Sequence, residues 1–165
     1  MWGWILGVLG GLVVLALAWA LVIVLSMRYK NPRGLALVRR FNRRFTNRGA
    51  MRDAGEPGSG SSVIRHVGRR SGKPYATPIG VYPMGEGFLV FLPYGLGADW
   101  VRNIRAAGTA ELVTDGHAHR VTPRLVEPAE ALPYLSAGQR RVVRLFRVRD
   151  FLALDPAPVR SDGGR

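Results

Sequence analysis

From Trp2 to Met27 the chain is almost unbroken Leu, Val, Ala, Ile, Gly and Trp. A helix of that length spans the roughly 30 Å hydrocarbon core of a bilayer. Trp2 and Trp4 at one end and Tyr29 at the other sit where aromatic side chains anchor in the interface. A cleaved signal peptide is the competing reading, with Ala18-Trp19-Ala20 as its cleavage site. It lacks a basic n-region, and apolar residues continue past the site, so the first element reads as a membrane anchor.

The pattern then changes. Leu35, Val38, Phe41 and Phe45 recur at helical spacing with arginines on the opposite arc. That is a helix lying in the membrane interface, a core helix with a solvated face, or both. Residues 53–62 are a Gly/Pro/Ser loop. Beyond it the period shortens to two. Strands are expected at 62–67, at 75–82 with a break at Pro78, at 88–92 after the Gly85-Glu86-Gly87 turn, at 109–114, and at 117–126 after the Asp115-Gly116 hairpin signal. Trp100, Val101 and Ile104 mark a helix over 98–107 that stops at Gly108. Pro128 opens another, running to Leu135. A basic stretch, 140–149, interleaves Val142, Val143, Leu145, Phe146 and Val148, and the tail frays from Asp155. Five or six antiparallel strands with few helices make a mainly β (α+β) fold built on a small barrel.

Charge sharpens this division. The net charge is +13, yet residues 1–27 carry none of it. Residues 28–52 hold nine cations and no acid, leaving +4 for everything that follows. The excess is therefore a juxtamembrane cluster for anionic headgroups, and it orients the domain toward the cytoplasm. Nucleic-acid binding is a poorer reading, because no recognition module accompanies the cations. With no cysteine there is no disulfide or thiolate site. His117 and His119 have no acidic partner at ligand spacing, so no metal site is expected. The organisation expected is an anchor over 1–27, a basic helix and linker over 28–58, a cofactor-binding domain over 59–152 and a flexible tail over 153–165.

Chemistry concentrates in Gly68-Arg69-Arg70-Ser71-Gly72-Lys73, a curled turn with three cations. Backbone N–H groups and cationic side chains together make an anion site; a solvated hairpin turn is the alternative. It is not a P-loop, since the glycine spacing is short by one and Pro74 follows the Lys. The second element is Pro93-Tyr94-Gly95-Leu96-Gly97 leading into a helix at Ala98 or Asp99, whose start favours anions. Trp100 and Asn103 share a face of it. A Ser71–His66–Asp99 triad can be written, but no nucleophile-elbow sequence supports it.

Taken in order, Arg65-His66-Val67-Gly68-Arg69-Arg70-Ser71-Gly72-Lys73-Pro74, Thr77-Pro78, Tyr94-Gly95, Trp100-Val101-Arg102-Asn103 and Ala106-Ala107-Gly108 resemble the deazaflavin (F420)-dependent nitroreductase family, which includes F420H2-dependent quinone reductases of actinobacteria. The resemblance covers residues 62–127. It implies a split β-barrel with flanking helices, here preceded by one transmembrane helix. It further implies that Gly68, Arg69, Arg70, Ser71 and Lys73 hold the phosphate region of coenzyme F420. Thr77, Pro78, Ile79 and Gly80 would lie beside the ring, with Tyr94, Gly95, Trp100 and Asn103 closing the site.

Two departures stand out. Members often carry Ser-Lys-Gly-Gly where this chain has Pro93-Tyr94-Gly95-Leu96, and Arg where it has Tyr75. Tyr94 and Tyr75 are the candidate proton donors. The resemblance implies an oxidoreductase that passes hydride to a quinone, a nitro compound or another small acceptor; the apolar span and the cation cluster make it a membrane-anchored, cytoplasm-facing one with a lipophilic acceptor. FMN is the alternative cofactor, and an FMN- or haem-binding barrel or a non-catalytic lipid-binding module the alternative functions. A homodimer is left open.

Overall fold

The computed structural model describes residues 3–41 and 47–158. Trp2, Arg43, Arg44 and Phe45 lie outside those residues, as does the tail beyond residue 158.

Helix α1 (Gly3–Arg28) is the apolar segment, with a mean hydropathy of 2.9 over its best window and none of that window buried. Helix α2 (Pro32–Phe41) folds back on it. Its Leu35 and Val38 are buried with Met27, while Leu37 and Phe41 stay exposed, and Phe41 meets Trp19 with ring centroids 5.0 Å apart. The apolar stripe of α2 therefore splits between a packed side and an outward side. A short helix α3 (Asn47–Ala50) and a turn-rich loop lead into the sheet.

Among the described residues, seven strands form one antiparallel sheet: β1 (Ser62–Val67), β2 (Pro74–Ile79), β3 (Tyr82–Met84), β4 (Gly87–Phe91), β5 (Ala110–Thr114), β6 (His117–Val126) and β7 (Phe151–Pro156). Their order is β2-β1-β5-β6-β7-β4-β3. Strand β6 joins the two halves. Its residues 117–121 pair with β5 and its residues 121–126 with β7, changing partner at Val121. The outermost strands, β2 and β3, are consecutive in sequence and linked by Gly80-Val81 alone. A connection that short holds the two edges close, so the sheet curls into a split barrel.

Three expectations are corrected. The single strand over 75–82 is two strands on opposite edges of the sheet. One pairs with β1 and the other with β4, so the break falls at Gly80-Val81 rather than at Pro78. The helix over 128–135 is α5 (Pro128–Ala131) followed by a 3-10 turn over Leu132–Tyr134. Pro133 lacks the N–H that an α-helix would use there. Ala153 to Pro156, assigned to the tail, complete β7 between β6 and β4. That strand reads Phe151-Leu152-Ala153-Leu154 because both of its faces are buried, so it lacks the alternation that marks a one-sided strand.

Two cores result. One lies inside the barrel, where Ile64, Val90, Leu112, Val121, Leu152 and Leu154 meet Val101 and Ile104 of α4 (Asp99–Ala107). The other lies under α5 and α6 (Ala137–Leu145), where Leu89, Phe151 and Ala153 meet Ala131, Leu135 and Val143. Helix α6 is the basic stretch; a capping box from Ser136 and Gln139 starts it.

Candidate functional site

The basic run is the β1–β2 hairpin turn. Gly68 N–H donates to Lys73 O and Gly72 N–H to Gly68 O, both at 2.8 Å, and Gly72 takes φ 64°. A side chain at Gly68 would crowd its neighbours. A Cβ there would lie 2.5 Å from Ser71 Oγ and 2.7 Å from Tyr75 Cε2. Arg70, Ser71 and Lys73 are exposed, and no acid lies within the turn.

Arg69 turns the other way. Its backbone N–H and its Nη1 both donate to Asn103 Oδ1, at 3.2 and 2.9 Å, and Nη1 lies 3.6 Å from the Asp99 carboxylate. Asn103 is on α4, so these bonds fasten the turn to the helix that fills the barrel. Asn103 Nδ2 lies 3.2 Å from His66 Nδ1, and His66 Nε2 lies 3.2 Å from Thr77 Oγ1. His66 is 8% exposed and Asn103 6%. Burial pushes the His66 imidazole below its ordinary value, because the charged ring loses hydration. The His66 ring lies under Tyr75, centroids 5.8 Å apart and planes 23° from parallel. Ser71 Oγ and Tyr75 OH are 3.3 Å apart.

One continuous constellation therefore holds Gly68 to Lys73, Tyr75, Thr77 and Asn103. Pro78 is half-buried beside Thr77, and Gly80 is exposed at the barrel edge. Ile79 is buried in the barrel core, and Trp100 packs partly against it. Neither joins the polar group. Tyr94 and Gly95 sit at the start of the 3-10 turn over Gly95–Gly97. The Tyr94 ring packs on the cluster of Met27, Leu35 and Val38 at the end of α1. The structure thus gives the two tyrosines different neighbourhoods. His66 is the residue that sequence reasoning underused: alone on a strand it carries no signal until Asn103 is brought against it. The written triad does not form, since Ser71 meets Tyr75, His66 meets Asn103 and Thr77, and Asp99 meets Arg69. A separate cavity of about 100 Å³ between β4, β6 and β7, lined by Phe88, His119 and Val121, contains none of these residues.

The sequence also matches a known family over residues 37–152, the F420H2-dependent quinone reductases. The chain belongs to that family. It is accordingly an F420-dependent oxidoreductase, with coenzyme F420 as its cofactor. Solved structures overlap the barrel at low identity. An F420H2-dependent reductase, FDR-A, is 14% identical over 58% of this chain and 94% of its own, with a TM-score of 0.44. A conserved hypothetical protein from Mycobacterium tuberculosis is 15% identical over 65% and 86%, TM-score 0.45. The haem storage protein HutZ from Vibrio cholerae is 14% identical over 61% and 84%, TM-score 0.45. No curated protein matches the sequence.

The site suits this cofactor on its donor set. F420 is a flat ring on a polyanionic tail. The turn offers outward Arg70, Ser71 and Lys73 with no competing acid, and the half-exposed faces of Tyr75 and Val67 adjoin it.

Proposed function

We propose that this family member reduces a lipophilic acceptor of the quinone class at the cytoplasmic face of a membrane, with α1 as its anchor. The observation that carries the reading is how the barrel meets the end of α1. Arg28 Nη1 donates to Leu145 O and Lys30 Nζ to Pro93 O, each at 3.0 Å, and Arg147 lies 5.7 Å from the Tyr29 ring centroid. Burial pushes the Lys30 ammonium below its usual range, partly offset by Asp150. Two of the cations nearest the span are thus turned into the domain: Lys30 ties the Pro93–Gly97 loop, and Arg28 the end of α6, to the point where the chain would leave the bilayer. Helix α6 adds an outward face in which Val142 and Leu145, 38% and 48% exposed, alternate with Arg141 and Arg144. An anionic interface accommodates such a face.

In this reading Arg70 and Lys73 hold the cofactor's tail, and Arg69 holds the turn itself to α4. Thr77, Pro78 and Gly80 border the ring, and Tyr75 covers one side of it. Reduced F420 supplies a hydride. The acceptor needs a proton as well, and Tyr94 supports that role from the loop nearest the membrane, with Tyr75 as the second candidate. Ile79, Trp100 and Asn103 support the walls from within the barrel.

Two measurements test the proposal on the full-length protein. Fluorescence titration should give saturable F420 binding that weakens about tenfold or more in Arg70→Ala and in Lys73→Ala, since a charge-assisted contact contributes about 1.5–3 kcal/mol. Unaltered affinity in both would remove the turn from the site. Carbonate-washed membranes should retain the chain at its unprocessed mass. Release as a shortened soluble form would mean that α1 is a signal sequence and not an anchor.

A further inference from the structure

The directions of the hydrogen bonds around Asn103 are decided by chemistry. Arg69 offers only donors, its backbone N–H and its guanidinium, and both point at one atom of the Asn103 amide. That atom must be the oxygen. The Asn103 nitrogen therefore faces His66 Nδ1 and donates to it, which requires Nδ1 to be bare. A neutral histidine with bare Nδ1 carries its proton on Nε2, and that N–H donates to Thr77 Oγ1. The Thr77 oxygen is thereby used as an acceptor, and its own hydroxyl proton is left to donate away from His66. We infer that Arg69, Asn103 and His66 form a one-way hydrogen-bond relay whose output is the Thr77 hydroxyl, presented as a donor to the cofactor ring. His66 and Asn103 are positioning residues; Thr77 is the residue that touches the ligand. The inference rests on the proposed location of the ring beside Thr77.

The relay couples two parts of the site that would otherwise be independent. The same Asn103 amide that fastens the tail-binding turn fixes the tautomer of His66. A ring that must find a donor at Thr77 therefore finds it only when Arg69 is seated on α4. Carbonyl and ring-nitrogen acceptors of a deazaflavin are the chemical groups such a donor recognises.

Asn103→Asp reverses the relay with little change of shape. The carboxylate still accepts both Arg69 bonds but has no N–H for His66. At a pH where the ring is neutral, His66 then carries its proton on Nδ1, and its bare Nε2 accepts a hydrogen bond from the Thr77 hydroxyl. His66→Gln keeps the direction, since a side-chain amide can accept from Asn103 and donate to Thr77. The measurements are F420 affinity by fluorescence and the His66 tautomer by long-range ¹H–¹⁵N NMR, both on full-length protein in detergent. We expect the Nε2–H tautomer in the native chain and a protonated Nδ1 in Asn103→Asp. Thr77→Val and Asn103→Asp should each weaken F420 about tenfold. The double variant should be no weaker than Thr77→Val, because both act through one hydroxyl. His66→Gln should stay within about twofold of the native chain.

Additive losses in the double variant would overturn the relay, as they would mean that the new carboxylate merely repels an anionic ligand. A native Nδ1–H tautomer, or native affinity in Thr77→Val, would also overturn it. If the native chain does not bind F420 while the Nε2–H tautomer is present, the functional reading fails together with the proposed role of Thr77, whereas the hydrogen-bond directions stand.

Discussion

Replacing Asn103 by alanine tests whether the site is held by a buried polar network or only by charge. Asn103 is 6% exposed and His66 8%. The substitution removes the acceptor of the Arg69 backbone N–H and the donor to His66 Nδ1. A buried polar group left without a partner costs about 1–3 kcal/mol. His66 loses a buried partner outright, and the part-buried Arg69 N–H loses one that water partly replaces, together a loss of about 2–4 kcal/mol. For a domain of this size 1 kcal/mol lowers Tm by roughly 4 °C, so the melt should move by roughly 8–16 °C. Arg69→Ala is the control. It deletes the guanidinium but leaves the Arg69 N–H on Asn103, and both ends of its ion pair see solvent, the Arg69 side chain at 24% and the Asp99 side chain at 70%. That loss should be about 1 kcal/mol. Thermal unfolding by circular dichroism, on full-length protein in detergent, measures both. If Asn103→Ala melts no lower than Arg69→Ala, the network contributes no more than the surface charge, and the reasoning fails.

Two further outcomes follow from the same geometry. Burial holds His66 neutral in the fold, so the unfolded chain binds more protons below its ordinary value of about 6.5. Stability should therefore be full above about pH 6.5 and fall as pH drops through the lower folded value. His66→Gln should lose this component, and an identical pH slope in that variant would assign it to another group. Gly68→Ala should cost only about 1 kcal/mol, since the crowded Ser71 and Tyr75 side chains can give way. The displaced Tyr75 ring should nonetheless weaken F420 on the order of tenfold by fluorescence titration, and native affinity would exclude that ring from the site.

Much of the architecture was legible because its signals are local. The apolar run of α1, the period-two strands around Asp115-Gly116, the helix from Asp99 to Gly108 and the cation-rich turn each depend on neighbours within a few residues. The family likeness was legible for the same reason, since its motifs are short and lie in order along the chain. The misread elements have non-local causes. Strand β7 is apolar on both faces because it lies between β6 and β4, so it shows no alternation. The stretch over 75–82 looks like one strand because nothing local says that its two ends pair with different partners at opposite edges.

The same division holds at the site. From the sequence alone came the membrane-length helix, the concentration of charge over residues 28–52, and the cation-rich turn. Only the tertiary structure separated the cations of the turn: Arg70 and Lys73 are left exposed, whereas Arg69 is bonded to Asn103. It alone brought His66 between Asn103 and Thr77, and it alone set Tyr94 against the end of α1 instead of the turn. The physical reason is sequence separation. Asn103 is 34 residues from Arg69 and 37 from His66, and no local propensity encodes a hydrogen bond across that distance; packing α4 into the barrel does.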